Sequence, residues 1–218
     1  MTAMDDFGDL ISPEAWNRMV SAGRIARFPA GRVLMAQGAP ADQVLLLTSG
    51  RVRVSRREPD GETLLLAVRR APQLIGELGL YGDKGRTATV VAIDPCTTVQ
   101  LTPSRFTALI RELKLEADLM RHLTFRLCES ESLRTELSML AAAPRVARFL
   151  HRLALLALPG DDGLEVGIGQ TDLASAVGLS RQTVAVEMRK LRGLEIIQTS
   201  RSQIIVRDLE RLADLAGI

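Results

Sequence analysis

The residues best suited to chemistry stand in one glycine-rich segment, Ile75-Gly76-Glu77-Leu78-Gly79-Leu80-Tyr81-Gly82-Asp83-Lys84-Gly85-Arg86-Thr87-Ala88-Thr89-Val90. A short turn bounded by glycines exposes successive backbone N–H groups, which make a concavity for a phosphate. Arg86 adds a planar cationic fork for phosphate oxygens and Thr87 a hydroxyl. Glu77, beside Gly76, supplies a carboxylate that accepts a hydroxyl hydrogen, as from a ribose. Tyr81 reads as loop packing or as a wall of the same pocket. This is recognition chemistry, since no nucleophile–base pair or metal constellation accompanies it. His122 and His151 are isolated, lack the spacing of a metal pair and read as surface or packing residues. The two cysteines, Cys96 and Cys128, are too few for an iron–sulfur cluster and suit a reducing cytoplasm better than a disulfide framework.

A second group of residues points to duplex DNA. Thr171 to Val177 reads as a one-sided short helix, and Gly178 supplies a turn where a left-handed backbone costs glycine little. Leu179 anchors that turn, and Ser180 caps a second helix from Arg181 to about Arg192. Leu173, Val177, Leu179, Val184, Met188 and Leu191 can form the buried seam, with Ala174 small where the helices cross. That is helix-turn-helix architecture, whose second helix enters a major groove. Arg181, Gln182 and Thr183 open it on the exposed side; arginine bonds guanine bidentately and glutamine bonds adenine. From Gly178 to Arg207, Arg181, Arg189, Lys190, Arg192, Arg201 and Arg207 face only Glu187 and Glu195. This local excess, hidden in a formal net charge of +2, suits phosphate contacts. Gly193–Ile197 and Gln203–Val206 read as a hairpin around Thr199–Ser202, hence a wing.

The elements that must position these groups follow from the period of the apolar residues. The chain has 218 residues, 46% hydrophobic and 25% charged, enough for a core without disulfide or metal staples. An aromatic content of 3% argues against stacking single-stranded bases on an aromatic platform. Ser12 and Pro13 start a short helix to about Ser21. From about Gly23 to Pro103, short apolar runs (Arg32–Met35, Val44–Leu47, Thr63–Val68) alternate with glycine and proline turns such as Pro59-Asp60-Gly61. Arg51 to Ser55 alternates polar and apolar, as a half-buried strand does. The set suggests a small antiparallel barrel or roll. From Arg105 to about Leu140 no glycine or proline intervenes, which predicts one helix about 50 Å long. Leu119, Leu123, Leu127, Leu133 and Leu137 lie along one stripe of it and predict a dimer seam. Met139 to Pro144 reads as a hinge. The acidic start (Asp5, Asp6, Asp9) is not a signal peptide, and no run approaches the roughly 20 apolar residues that span a bilayer.

At the Gly76-Glu77 and Arg86-Thr87 elements the segment resembles the phosphate-binding cassette of cyclic-nucleotide-binding domains. The chain as a whole is similar to the catabolite-activator/fumarate-nitrate-regulator (CRP/FNR) superfamily. The likeness includes Gly31, Gly38, Gly50, the long helix and Ser180-Arg181-Gln182-Thr183-Val184. It implies an α+β fold: a cyclic-nucleotide-binding β-roll (jelly-roll-like) over 1–104, a dimerisation helix over 105–142 and a winged helix-turn-helix over 143–218. It implies a cytoplasmic, ligand-gated transcription regulator without catalytic activity or metal. Glu77 would take the ribose 2′-hydroxyl, while Arg86, Thr87 and backbone amides at Gly76 would hold the cyclic phosphate. Counting back from Pro144-Arg145-Val146-Ala147 makes Ser130 and Glu131 the base-contacting pair. DNA contacts would come from Thr171, Ser180, Arg181, Gln182, Thr183, Arg189 and Lys190. Implied partners are a pseudo-palindromic DNA operator, a second copy of the chain and RNA polymerase. Cyclic-AMP receptors usually carry Thr with Ser or Asn where this chain has Ser130-Glu131, so cyclic GMP competes closely with cyclic AMP as effector. Val186 stands where activators of this family often have a further arginine, which implies a different operator. Alternatives are a same-fold regulator with no ligand or with cyclic di-GMP, and a cyclic-nucleotide-sensing subunit of an enzyme.

Overall fold

The computed structural model describes residues 6–80, 85–160, 162–199 and 203–218. Two compact units result, one from residues up to Pro59 with Val68–Ser130, the other from Asp60–Ala67 with Glu131–Ile218.

The first unit opens with helices α1 (Phe7–Leu10) and α2 (Pro13–Ser21), the latter capped by Ser12, whose hydroxyl accepts from the Ala15 N–H at 3.1 Å. Strands β1 (Arg24–Phe28), β2 (Val33–Met35), β3 (Val44–Ser49), β4 (Arg51–Arg57), β5 (Thr63–Arg70, of which Thr63–Ala67 falls in the second unit), β6 (Gln73–Ile75), β7 (Thr89–Ala92) and β8 (Cys96–Leu101) follow. They form two four-stranded sheets, in the orders β1-β8-β3-β6 and β2-β7-β4-β5. Strand β3 is buried on both faces, which explains its uninterrupted apolar sequence. Val44 and Leu46 join Leu74, Val99 and Leu101 against Phe7, Met19 and the helices that follow β8. Leu45 and Leu47 face the other way, among Leu34, Val52, Val90 and Ala92 between the sheets. The strands therefore make a roll of two packed sheets, one of them covered by helices, and closure into a barrel is not required.

Two expectations are corrected here. The helix predicted from Arg105 is two helices, α3 (Pro103–Glu112) and α4 (Glu116–Met139). The Leu115 N–H bonds the Ile110 carbonyl at 2.8 Å and the Lys114 N–H that of Arg111 at 3.2 Å, the paired bonds that end a helix around a left-handed residue. That residue is Lys114, at φ 56°, where a side chain costs about 1 kcal/mol. Leu115 offsets the cost by packing among Phe106, Leu109, Ile110 and Leu119. The alternation from Arg51 to Ser55 also misleads, because Arg51 is buried. Its guanidinium makes a bidentate pair with Asp94, Nε–Oδ2 2.7 Å and Nη2–Oδ1 3.0 Å. Cys96 lies beside this pair, with its thiol 3.3 Å from the Arg51 carbonyl, and burial pushes that thiol up to about 11. Cys128 is exposed on α4.

The second unit takes in the end of α4, α5 (Ala142–Leu155), β9 (Leu158–Gly160), β10 (Gly163–Glu165), α6 (Gln170–Ala176), α7 (Arg181–Gly193), β11 (Ile197–Thr199), β12 (Ile204–Val206) and α8 (Leu209–Ala216). Its sheet runs β11-β12-β10-β9. Val146, Leu150, Leu153, Leu173, Val184, Met188, Ile196 and Leu212 are buried in it. Arg152 pairs with Glu136 at 2.8 Å and Arg148 bonds the Ala216 carbonyl at 2.7 Å, fastening α5 to the end of α4 and to α8. Among the described residues, no helix is long and apolar enough to cross a membrane. None of their His, Cys, Asp and Glu side chains gather in threes to hold a metal.

Removing Asp94 strips a buried guanidinium of its carboxylate partner, so Asp94→Ala is expected to cost about 3 kcal/mol. Urea unfolding of the two proteins side by side measures it, and a loss below about 1 kcal/mol would show that the pair does not hold β4.

Candidate functional site

Strand β6 delivers the chain to a 3-10 turn, Glu77–Gly79, through Gly76 at φ 93°. The positive φ calls for glycine, and a Cβ there would lie 2.6 Å from Met35 Cε and 2.8 Å from Arg86 Nη1, so alanine would also have to displace the ends of these two buried side chains. Glu77 and Arg86 are each only 5% exposed. Arg86 donates from Nη1 to the Gly76 carbonyl at 3.0 Å and from Nη2 to the Gln43 carbonyl, with Asp42 Oδ1 3.6 Å away. Its backbone pairs with Gly38 and Ala39, both bonds 2.9 Å. Burial lowers the Arg86 pKa, and Asp42 and Glu77 oppose that. Gly76, Glu77 and Arg86 are thus brought together as the sequence predicts, while Thr87 is exposed beside them. Tyr81 and the neighbouring Gly82, Asp83 and Lys84 lie outside the described residues.

Glu77 faces α4, which sequence reasoning did not anticipate. His122 Nε2 is 3.6 Å from Glu77 Oε1, and His122 is fully buried, its ring edge-on to Phe7 with centroids 5.6 Å apart. One turn further, Arg126 lies 3.7 Å from Glu129 Oε2, and Glu129 is held bidentately by Arg69. Asp6, at the N-cap of α1, accepts from Gln73 and sits within the field of Arg126 and Arg69. Burial pushes the Asp6 carboxyl up and pulls Arg126 down to about 10. Burial also pushes Glu77 up, but His122 and Arg126 more than offset it and hold the carboxyl below its ordinary value. Ser130 and Glu131, the implied base contacts, are exposed on α4, and the division between the two units falls between them.

In the second unit, Gly178 turns the chain at φ 60°, and Ser180 Oγ accepts from the Thr183 N–H at 3.0 Å to start α7. Leu173, Val177, Val184, Met188 and Leu191 are buried and Leu179 is half-buried at the corner of the predicted seam. Arg181, Gln182, Val186, Arg189 and Lys190 are exposed along α7, Thr183 is half-buried, and Thr171 is exposed on α6. Lys190 pairs with Glu187 at 2.9 Å, and Arg192 donates to Thr199 Oγ1 at 2.9 Å. The wing's first strand starts at Ile197 rather than Gly193, which closes α7. Arg201, with Ser200 and Ser202 at the predicted wing tip, lies outside the described residues.

Two family models match the chain: a cyclic nucleotide-binding domain over residues 25–112 and a Crp-like helix-turn-helix domain over residues 144–215. The chain is 27% identical over 207 residues to the CRP-like cAMP-activated global transcriptional regulator of Mycobacterium tuberculosis, covering 93% of this chain and 92% of the other. Among solved structures it is similar to a CRP/FNR-family transcriptional regulator of Thermus thermophilus, with TM-score 0.75 and 26% identity over 89% of this chain and 99% of that one. The chain belongs to the CRP/FNR superfamily of transcription regulators. Its fold is shared as well by the c-di-GMP responsive global regulator of Xanthomonas campestris, at TM-score 0.72 and 21% identity over 89% of this chain and 99% of that one.

As a CRP/FNR regulator the protein is not an enzyme; it binds DNA, and it carries a cyclic nucleotide-binding domain. Along the helix that was predicted as its dimer seam, Leu119 is buried in the core of its own chain and is withdrawn from the seam. Leu123 packs partly on the same core, Leu133 is half-buried, and Leu127 and Leu137 are exposed, Leu127 to 60%. The residues missed around Glu77 are His122, Arg126 and Asp6. The three-and-four spacing of His122, Arg126 and Glu129 along one helix face was the available signal.

Both signature glycines hold positive φ, yet their surroundings differ. At Gly178 the nearest atom to an added Cβ is Leu137 Cδ2 at 3.5 Å, an ordinary contact. Gly178→Ala should therefore lose only the backbone term, about 1 kcal/mol. Gly76→Ala adds a clash and should lose about 2–3 kcal/mol. Equal losses in urea unfolding would contradict the crowding at Gly76.

Proposed function

We propose that the first unit binds a cyclic purine nucleotide, cyclic AMP with cyclic GMP as its close competitor, and that occupancy sets how a homodimer engages a pseudo-palindromic operator. The observation that carries this reading is one short turn holding a buried carboxylate, Glu77, close to a buried guanidinium, Arg86. A buried guanidinium fork is the strongest recognition a protein offers a phosphate, and an ionised carboxylate accepts from a ribose hydroxyl. The relative in Mycobacterium tuberculosis, named as cAMP-activated, supports the same reading. At Glu131 an ionised carboxylate would take either the adenine amino group or the paired N1–H and N2–H of guanine. For the ligand to act as a switch it must bind the DNA-competent state better than the other, or no population moves. Leu123, Leu127, Leu133 and Leu137 would pair two copies of α4. RNA polymerase is the further partner such a regulator would meet, in the cytoplasm where bacterial DNA lies.

Calorimetric titration with cyclic AMP, cyclic GMP and cyclic di-GMP tests the effector. One of the first two should bind. Arg86→Ala should weaken it by roughly 2–4 kcal/mol, and Glu77→Ala should weaken it with the fold intact. Near-normal affinity in both variants would sink the pocket. Binding of cyclic di-GMP alone would favour the second reading, which the Xanthomonas campestris neighbour supports.

On the DNA side, two-fold symmetry should place half-sites one helical turn apart, about 34–36 Å. Arg181 should read guanine, worth about 1–3 kcal/mol, while Arg189 and Lys190 should meet phosphate. Val186 cannot donate a hydrogen bond, so preference at its base pair would come from thymine methyl contact or DNA shape. Binding-site selection on wild type and Arg181→Ala should return half-sites that differ in guanine preference; identical half-sites would remove Arg181 as the reader.

A further inference from the structure

His122 is fully buried, and neither ring nitrogen has a hydrogen-bond partner among the described residues. Leaving a buried imidazole unsatisfied costs free energy that an apolar residue would avoid, so its surroundings should show what the polar atoms face. Phe7 covers one side of the ring edge-on, and the polar atom in front of Nε2 is Glu77 Oε1 at 3.6 Å, just too long for a hydrogen bond. Of the other charged groups nearby, Arg69 grips Glu129 and Asp6 accepts from Gln73, while Arg126 lies by Glu129 and acts on Glu77 through its charge. His122 thus stands opposite one oxygen of the carboxylate, which has a second.

A carboxylate that must accept a ligand hydroxyl binds better when its rotation is already fixed and one oxygen already has a donor. We propose that His122 is a positioning residue for the effector: its Nε2–H closes onto Glu77 Oε1 when ligand binds, and so aims the other oxygen at the ribose 2′-hydroxyl. The proposal rests on the cyclic-nucleotide reading given above. A donor at Nε2 requires only the neutral imidazole, so glutamine, which can present an amide N–H at similar reach, should substitute for it. Leucine fills the space without a donor, and asparagine has a donor that falls short.

The experiment compares cyclic AMP with its 2′-deoxy analogue, by calorimetry, in wild type and in His122→Leu, His122→Gln and His122→Asn, after thermal melting has established which variants fold. Wild type should prefer cyclic AMP roughly ten- to hundredfold, the range for a hydrogen bond to a charged acceptor. His122→Leu and His122→Asn should shrink that preference to about threefold or less, mainly by losing cyclic AMP affinity, and His122→Gln should keep most of it. Should leucine fail to fold, the asparagine–glutamine pair makes the same comparison. An unchanged preference in the leucine and asparagine variants, or equal loss of both ligands, would overturn the positioning role while leaving the nucleotide pocket standing. A wild-type protein that binds neither cyclic AMP nor its deoxy analogue would overturn this inference together with cyclic AMP as effector. Cyclic GMP binding in the same titration would then show whether the wider nucleotide reading survives.

Discussion

The carboxylate of Glu77 is buried at the end of a sheet, and keeping it ionised there is the demand around which the first unit is arranged. Burial alone would push its pKa up. The opposing field comes from α4, through His122 and Arg126, and those groups are themselves buried and need partners. Arg126 looks to Glu129 and Asp6, Glu129 to Arg69 on β5, and Asp6 to Gln73 on β6. One buried charge therefore enlists residues from the start of α1, β5, β6 and α4. A half-satisfied network of this kind would be worse than an apolar core, which explains why the short α1 is anchored by buried Phe7 rather than left to fray.

Arg86 solves the complementary problem. A guanidinium has five N–H donors and no acceptor, and here carbonyls of Gly76 and Gln43 take two of them. Those carbonyls belong to segments bordering β6 and β3, so the cation is oriented by backbone that the sheet core already holds. The sheet behind it is rigid because β3 is buried on both faces. Chemistry at the turn thus rests on ordinary packing a few residues away.

Local features were legible in the sequence wherever a residue type has one dominant backbone use. Ser12 and Ser180 mark helix starts, Gly178 marks the helix-turn-helix corner, and Gly76 marks the turn before Glu77, all where the structure has them. The seam of α6 and α7 followed from spacing alone. What escaped was set by contacts distant in sequence. The break between α3 and α4 relies on a lysine in a glycine's conformation, tolerated because Leu115 finds a core that no local pattern reveals. Arg51 looked like the polar half of an alternating strand because its partner, Asp94, lies forty-three residues away. Strands β9 and β10 are three residues each, built around Pro159 and Gly163, with no alternation to detect. His122 read as inert because a lone histidine on a helix carries no signal until the element facing it is known.

The burial of Cys96 has a practical side. A thiol with a pKa near 11 is ionised in about one molecule in a thousand at about pH 8, and only the thiolate attacks an electrophile. Cys128, by contrast, is exposed on α4. The natural protein therefore already contains a selective attachment point for a spin label or fluorophore, one per chain, on the helix shared by both units. Distances between labels on the proposed dimer, or changes in a label's mobility as nucleotide is added, would test the proposed switch without a single engineered cysteine.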